Sequence, residues 1–487
     1  MSLTIDRRQV LKGTVGLLVA GNALGYSSAF ASGKFTQLDI DTHVIEVNGK
    51  AAKVYSLLQP NGKSGLETKA GANFKVTLKN HLGYDSLVHW HGLTPPSNQD
   101  GVPELSQPPL AAGKTYMYDF FLERPGTHWM HSHVGLQEQK MLAAPLIIHD
   151  PAEVNLDEQN VVIMLHDFTF KEPEEILAKL RSGEGDMEEG MPMKGGMAMK
   201  DGMPMKDGMP MNGGMDMDMD LNDVEFDAYL ANDRTLSDPD VVRVDPGAKV
   251  RLRIINAAAS TNFMIDLGTL EGAVIAVDGH NVMSVAGKRF EIAIAQRVDI
   301  RLTVPAGQGA YPILAVREGD VERTGIYLAT ASGSVKKLGD KGDYEAPPIR
   351  MGLEQRLTAA TPLAVKPADR SLTLNLTGNM MRYIWTLNDR VYEDRIPLMV
   401  SKGERVEIAL QNKTGMAHPM HLHGHVFQVV AINNKPINGA IRDTVMVPPM
   451  TRMTIAFDAN NPGRWAFHCH NLYHMASGMF TSLEYEV

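Results

Sequence analysis

The 487-residue chain has a single cysteine, Cys469, so it cannot close an intramolecular disulfide. Aromatic residues make up only 6% of it, and no apolar run approaches the roughly 20 residues that a membrane-spanning helix needs. It also lacks any long basic stretch. Against 57 Asp and Glu stand 47 Lys and Arg, a formal charge of −10, so nothing concentrates enough positive charge to hold a phosphate backbone, and nucleic acid is not expected as a partner. Convincing amphipathic helical patterns are few. What the chain does have is 44 Gly, 27 Pro and 44% hydrophobic residues, the composition of a turn-rich globular protein long enough for several domains.

Residues 1–31 read as a removable address. Arg7-Arg8 precede a short apolar stretch from Val15 to Ala20, and Ala29-Phe30-Ala31 offers small residues for cleavage. The paired arginines point to the Tat export route and a periplasmic mature protein without a membrane anchor. A cysteine that pairs with nothing in an oxidising compartment calls for another role.

Three segments share one pattern: 71–80 (GANFKVTLKN), 247–256 (GAKVRLRIIN) and 403–412 (GERVEIALQN). Each begins with glycine, alternates apolar residues as a strand does, and ends in asparagine. Eighteen positions beyond the first and third glycines, His89 and His421 open His-Trp-His-Gly and His-Leu-His-Gly; the middle copy has Ile265-Asp266-Leu267-Gly268 instead. Likewise Pro125-Gly126 leads to His131-Ser132-His133, and Pro462-Gly463 leads at the same spacing to His468-Cys469-His470. The pattern predicts an all-β protein of three tandem Greek-key β-sandwich domains at 35–150, 155–335 and 365–487, with a linker at 336–367. Chemistry is expected in the outer two.

Ten of the 17 histidines fall into four clusters: His89/His91, His131/His133, His418/His421/His423 and His468/His470/His474. On a strand, side chains at i and i+2 leave the same face about 6–7 Å apart, so each His-x-His pair presents two imidazoles to one metal cluster. Imidazole with almost no carboxylate disfavours magnesium and calcium and points to copper. Cys469, between two such histidines, must face the other way. There it can join His418, His474 and Met479 in the two-His, one-Cys, weak-Met set of a blue-copper site. Ser132 holds the equivalent place in the first domain, which therefore has no such site. The other seven histidines, His43, His81, His128, His149, His166, His280 and His425, are expected to be hydrogen-bonded structural residues.

HWHG, HSH, HPMHLHG and HCHNLYHMASGM, in that order along nearly the whole mature chain, resemble the motifs of the multicopper oxidase family. The resemblance implies cupredoxin-like domains and four copper ions. Type 1 copper would lie on His418, Cys469, His474 and Met479, and type 2 on His89 and His421. A type 3 pair would lie on His91, His131, His133, His423, His468 and His470, at the interface of the first and third domains. It further implies single-electron oxidation of a donor coupled to reduction of dioxygen to water. Asp100 matches the acid that the family uses beside type 2 copper; the other reading is an ordinary solvated turn aspartate. Many relatives carry a second acid directly after the histidine corresponding to His474, where this chain has Met475.

Between residues 187 and 219 lie 12 of the 30 methionines, interleaved with Gly, Asp and Lys and without helical periodicity. Thioethers are soft ligands that select Cu(I), whereas the bland reading is a polar low-complexity insertion in the second domain. With the Tat-like leader, this composition resembles the copper-resistance branch of the family, which implies Cu(I) as the donor. Met416 matches a substrate-copper ligand of cuprous oxidases, but Thr414 stands where those enzymes carry an aspartate. A small aromatic reductant, as for a laccase, is the alternative donor. The protein is expected to be a monomer.

Overall fold

The computed structural model describes residues 34–182 and 221–486; the expected leader at 1–31 and the methionine segment at 187–219 lie outside the described residues. The described chain is built of strands in three consecutive two-sheet sandwiches. Two four-stranded sheets occupy the first, sheets of six and five strands the second, and sheets of seven and five strands the third. Among the described residues, only Pro173–Ser182 and Leu472–Ala476 are α-helical. None of the described helices is long and apolar enough to cross a membrane.

The repeated segments take equivalent places. Asn73–Asn80, Lys249–Asn256 and Arg405–Asn412 each pair in parallel with the first strand of their sandwich and antiparallel with a later one. The terminal asparagine explains why the pattern recurs. Asn80, Asn256 and Asn412 are fully buried, and each Oδ1 accepts from the backbone N–H two residues on. Each Nδ2 donates to carbonyls of other segments, as Asn412 does to Met416, Val447 and Pro448. A buried amide that makes all its bonds fixes the exit from one sheet toward the other.

Alternation is clean only in the first copy. Lys249–Asn256 is buried at every position after Lys249, because this strand is covered on both faces. Arg251 and Arg253 remain charged inside by sharing Asp299, at 2.7 and 3.2 Å. The stretch expected as a linker packs against its neighbours. Ala346, Ile349, Leu353 and Leu357 are buried, and Glu354 accepts from Arg442 Nε at 2.8 Å. Strands Gln159–Phe168 and Ala228–Ala231 are antiparallel neighbours, so the stretch containing the methionine segment leaves and rejoins one sheet at the same place.

Candidate metal centres

The outer sandwiches repeat one register. His89 lies opposite His131 with Val88 opposite Ser132, and His421 lies opposite His468 with Met420 opposite Cys469. Strand alternation then sends Cys469 away from its flanking histidines. Its Sγ lies 3.7 Å from both His418 Nδ1 and His474 Nδ1, which are themselves 3.1 Å apart. Asn471 caps the short helix Leu472–Ala476 by accepting from the N–H groups of Tyr473 and His474, which turns His474 back toward Cys469. Met479 is fully buried, and its main chain ties to both: Cys469 N donates to its carbonyl at 3.0 Å, and its own N–H donates to His474 O at 3.1 Å. At Gly478 (φ 116°) a Cβ would lie 2.6 Å from Val391 and 2.9 Å from the Trp385 carbonyl, so the turn that delivers Met479 requires glycine. Met416 is buried in the apolar core that also contains Cys469.

On the other face, eight imidazoles from the first and third sandwiches converge. His89 and His421 approach Nε2 to Nε2 at 3.4 Å. His131 and His470 meet at 3.3 Å, with His91 Nδ1 3.4 Å from His131. His468 lies 3.4 Å from His133 and 3.0 Å from His423, again Nε2 to Nε2.

In most of these rings the opposite nitrogen meets a group that can only accept. His89 Nδ1 donates to Asp100 O, His421 Nδ1 to Asp443 O and His468 Nδ1 to Cys469 O, all at 2.8–2.9 Å. His423 Nδ1 donates to Asp100 Oδ2 at 2.9 Å, and His91 Nε2 to Asp443 Oδ1 at 3.1 Å. His131 Nδ1 faces Glu138 Oε2 at 2.8 Å, and His470 Nδ1 lies 3.7 Å from Glu138 Oε1. At the cysteine site, Thr414 takes the Nε2 proton of His418 at 2.8 Å, and Asp223 that of His474 at 2.7 Å. With those protons fixed outward, the inward nitrogens are bare lone pairs about 3 Å apart, an arrangement that repels unless a cation lies between them. Ligand bonds of about 2.0–2.3 Å span such separations. The donor sets therefore fit metal ions, and the nitrogen and sulfur chemistry fits copper.

Burial reinforced by neighbouring histidines holds His91, His133, His418, His421, His423 and His470 well below the usual imidazole value, and burial brings His468 down to about 3. Burial pushes the Cys469 thiol well up, with Asp223 adding to the effect, so only a bound cation makes the thiolate favourable here.

Three multicopper oxidase family models match residues 41–153, 159–332 and 366–487. The chain belongs to the multicopper oxidase family. Multicopper oxidase MmcO of Mycobacterium tuberculosis is 34% identical over 428 residues, covering 86% of this chain and 81% of that relative. Copper resistance protein A of Escherichia coli is 28% identical over the whole of both chains. The multicopper oxidase of Pseudomonas thermotolerans superposes with a TM-score of 0.69 at 22% identity, covering 93% of this chain and 99% of that one. This multicopper oxidase accordingly has the cupredoxin-type fold, and its cofactor is copper, as four ions of types 1, 2 and 3.

Asp100 is fully buried between His89 and His423, which excludes a solvated turn. At Gly101 (φ 90°) a Cβ would lie 1.9 Å from the Val88 carbonyl, so only glycine lets this loop tuck beneath His89. Three carboxylates escaped sequence reasoning: Glu138, Asp223 and Asp443. Glu138 follows His133 by five residues and was findable as the first acid after the His-Ser-His motif. Asp223 belongs to no histidine motif and reaches His474 only through the fold.

Of the seven histidines expected to be structural, His81, His149 and His425 are hydrogen-bonded, to Asp39, Glu67 and Tyr485. His128 departs from expectation. Buried with neither ring nitrogen partnered, it fills the space left by Gly92, Gly126 and Gly279, where any Cβ would collide with it.

The depressed histidines make the copper-free protein acid-sensitive. Unfolded, each takes up a proton near pH 6.5; folded, each resists. Unfolding therefore binds protons below that pH, and the stability contribution, intact above about 6.5, is lost as pH falls toward the folded values, by up to about 1.4 kcal/mol per histidine per pH unit. Calorimetry of the copper-free protein is expected to give a melting temperature that drops steeply between about pH 7 and about pH 5. A flat profile would contradict the burial of neutral imidazoles.

Proposed function

We propose that this multicopper oxidase oxidises Cu(I) to Cu(II) in the periplasm, using dioxygen as the acceptor and releasing water, and so confers copper tolerance. In this reading, type 1 copper lies on His418, Cys469, His474 and Met479, and type 2 on His89 and His421. The type 3 pair lies on His91, His131 and His470, and on His133, His423 and His468. The four ions supply one-electron acceptance at the first site and pooled four-electron reduction of dioxygen at the other three.

The environment of His474 carries the reading. A phenol oxidase needs the outer edge of such a histidine open to an aromatic ring, but His474 is fully buried. Its Nε2 donates to Asp223, Tyr383 donates to the same carboxylate oxygen, and Trp385 packs at 4.3 Å. The other oxygen, Asp223 Oδ1, is buried without a hydrogen-bond partner. A carboxylate with one oxygen bonded to His474 and one free suits a docked cation and offers its electron a short hydrogen-bonded path. Arg181 and Asp223, the two described residues nearest either side of the methionine segment that touch this site, contact Ala476 O and His474. The thioethers between them suit recruitment of Cu(I). Relatives named as copper resistance proteins agree with the reading.

Cys469 joins the sites through its backbone to His468 and His470. In this reading Asp100, bonded to His89 and His423, hands protons to the oxygen-reducing cluster, and Glu138, against His131, is a second acid beside it. The expected result for Asp100→Asn is a kcat for oxygen uptake lower by about 10²-fold or more, with blue absorption retained. Unchanged uptake would remove Asp100 from proton delivery.

A second reading, oxidation of a small aromatic reductant, has one observation in its favour. A cavity of about 650 Å³ lined by Leu177, Tyr392, Met475 and Phe480 reaches His133 and has room for an aromatic ring. Oxygen uptake with chelated Cu(I) and with a simple phenol, offered separately to the copper-loaded enzyme, separates the two. For Asp223→Ala, Cu(I)-driven uptake is expected to fall by about 10- to 100-fold while phenol oxidation persists. Removal of residues 187–219 is expected to lower Cu(I) turnover at limiting copper. Strong phenol turnover with Cu(I) activity indifferent to both changes would make the enzyme a laccase.

A further inference from the structure

Glu138 stands in the turn that joins the strands Gly126–Ser132 and Ala143–His149, and its neighbours on both sides hold it still. Gln137 accepts from the Ser86 and Ser132 hydroxyls at 2.7 and 2.8 Å and donates to Asp85 O at 2.9 Å. Gln139 donates to the Asp167 carbonyl of the second sandwich at 3.3 Å and accepts from the Tyr473 hydroxyl of the third at 3.1 Å. Between these two clamps the Glu138 side chain, only 2% exposed, points at the histidine cluster.

Its Oε2 lies 2.8 Å from His131 Nδ1, and its Oε1, which has no hydrogen-bond partner, lies 3.7 Å from His470 Nδ1. Among the described residues no lysine or arginine pairs with it. A sealed carboxylate that faces only neutral imidazoles carries a charge that a cation must balance. Those two imidazoles belong to one donor group, His91, His131 and His470, whose third member rests on Asp443 at 3.1 Å. Every ligand of that group has a carboxylate at its outward nitrogen.

The companion group, His133, His423 and His468, is backed differently. Asp100 accepts from His423 at 2.9 Å but also lies 3.3 Å from His89 Nδ1, so its charge is shared with a different donor group. His468 donates to the neutral Cys469 carbonyl at 2.9 Å. His133, the most exposed of the eight at 9%, lines the cavity of about 650 Å³.

We propose that Glu138 is a positioning residue that makes the two type 3 ions unequal: facing two of its three ligands, it holds the ion on His91, His131 and His470 more tightly than the ion on His133, His423 and His468. A carboxylate behind an imidazole strengthens it as a donor and fixes its ring. The inequality rests on the type 3 assignment proposed above.

Anomalous diffraction at the copper edge, on copper-loaded crystals treated with a graded chelator, reads the occupancy of each ion. In the unaltered protein the ion on His133 is expected to leave first. In the isosteric Glu138→Gln the ion on His131 and His470 should weaken by about 10- to 100-fold and leave first instead, with Glu138→Asp between the two. Calorimetry of the copper-free Glu138→Gln protein should show a raised melting temperature, because an unbalanced buried charge is gone; a lowered one would mean that Glu138 only braces the turn. Equal loss of both ions in Glu138→Gln, with both sites filled beforehand, would overturn the proposal and leave the type 3 assignment standing. No copper between His131 and His470 in the unaltered enzyme would overturn that assignment as well.

Discussion

Cys469→Ser is expected to abolish the intense blue absorption and reduce oxygen uptake to background while leaving the protein folded. The hydroxyl oxygen has neither the softness nor the accessible ionisation that lets a buried thiol bind copper. The fold already contains the control. Ser132 occupies the equivalent register in the first sandwich, and there its hydroxyl donates to Gln137 at 2.8 Å. At position 469 a serine would lie near His418 Nδ1 and His474 Nδ1, both competent acceptors, so the stability change should stay within about 1–2 kcal/mol. The histidines on the far face are untouched, and the paramagnetic signal of the remaining mononuclear copper should survive. Persistence of blue colour in the serine variant would break the assignment of this site.

Asp443→Ala is expected to lower both the stability of the fold and the copper content. Asp443 belongs to the third sandwich, but its carboxylate accepts from His91 of the first at 3.1 Å and from Arg297 of the second at 2.7 Å, and its carbonyl accepts from His421. Arg297 also faces Asp278 at 3.6 Å. Asp278 pairs with Arg442 at 3.0 Å, and Arg442 with Glu354 at 2.8 Å. All are nearly sealed from water, so the charges form one buried chain between the second and third sandwiches, to which the neutral His91 of the first is bonded. Removing Asp443 leaves Arg297 to share Asp278, an under-compensated buried charge that costs about 3–5 kcal/mol. It also frees the outward nitrogen of His91, so copper occupancy of the three-ion cluster should fall. Calorimetry and copper content read the two effects separately. Adding Arg297→Met to Asp443→Ala removes the orphaned charge and should recover much of the stability but not the copper. Recovery of both would make Asp443 a structural partner only.

Much of this was legible along the chain because it depends on short-range periodicity. Alternation alone sends Cys469 and its flanking histidines to opposite faces, and the Gly-to-Asn repeat marked equivalent strands in each sandwich before any contact was visible. What the sequence left unread has the opposite character. Lys249–Asn256 breaks alternation because neighbouring segments cover both of its faces. Residues 336–367, expected to be a linker, pack against the sandwiches through Ile349, Leu353 and the Glu354 ion pair. His128, expected to be hydrogen-bonded, fills a hollow made by three glycines from different parts of the sequence.

By itself the sequence determined the donor chemistry, ten histidines and one cysteine in strand-spaced pairs, because the side-chain direction of a strand follows from residue parity. Only the tertiary structure decided which nitrogen of each ring faces inward, and which carboxylates hold the outward ones. His91 meets Asp443 across 352 residues, and His474 meets Asp223 across 251. Contacts of that range depend on how whole sandwiches pack, and local spacing carries no record of them.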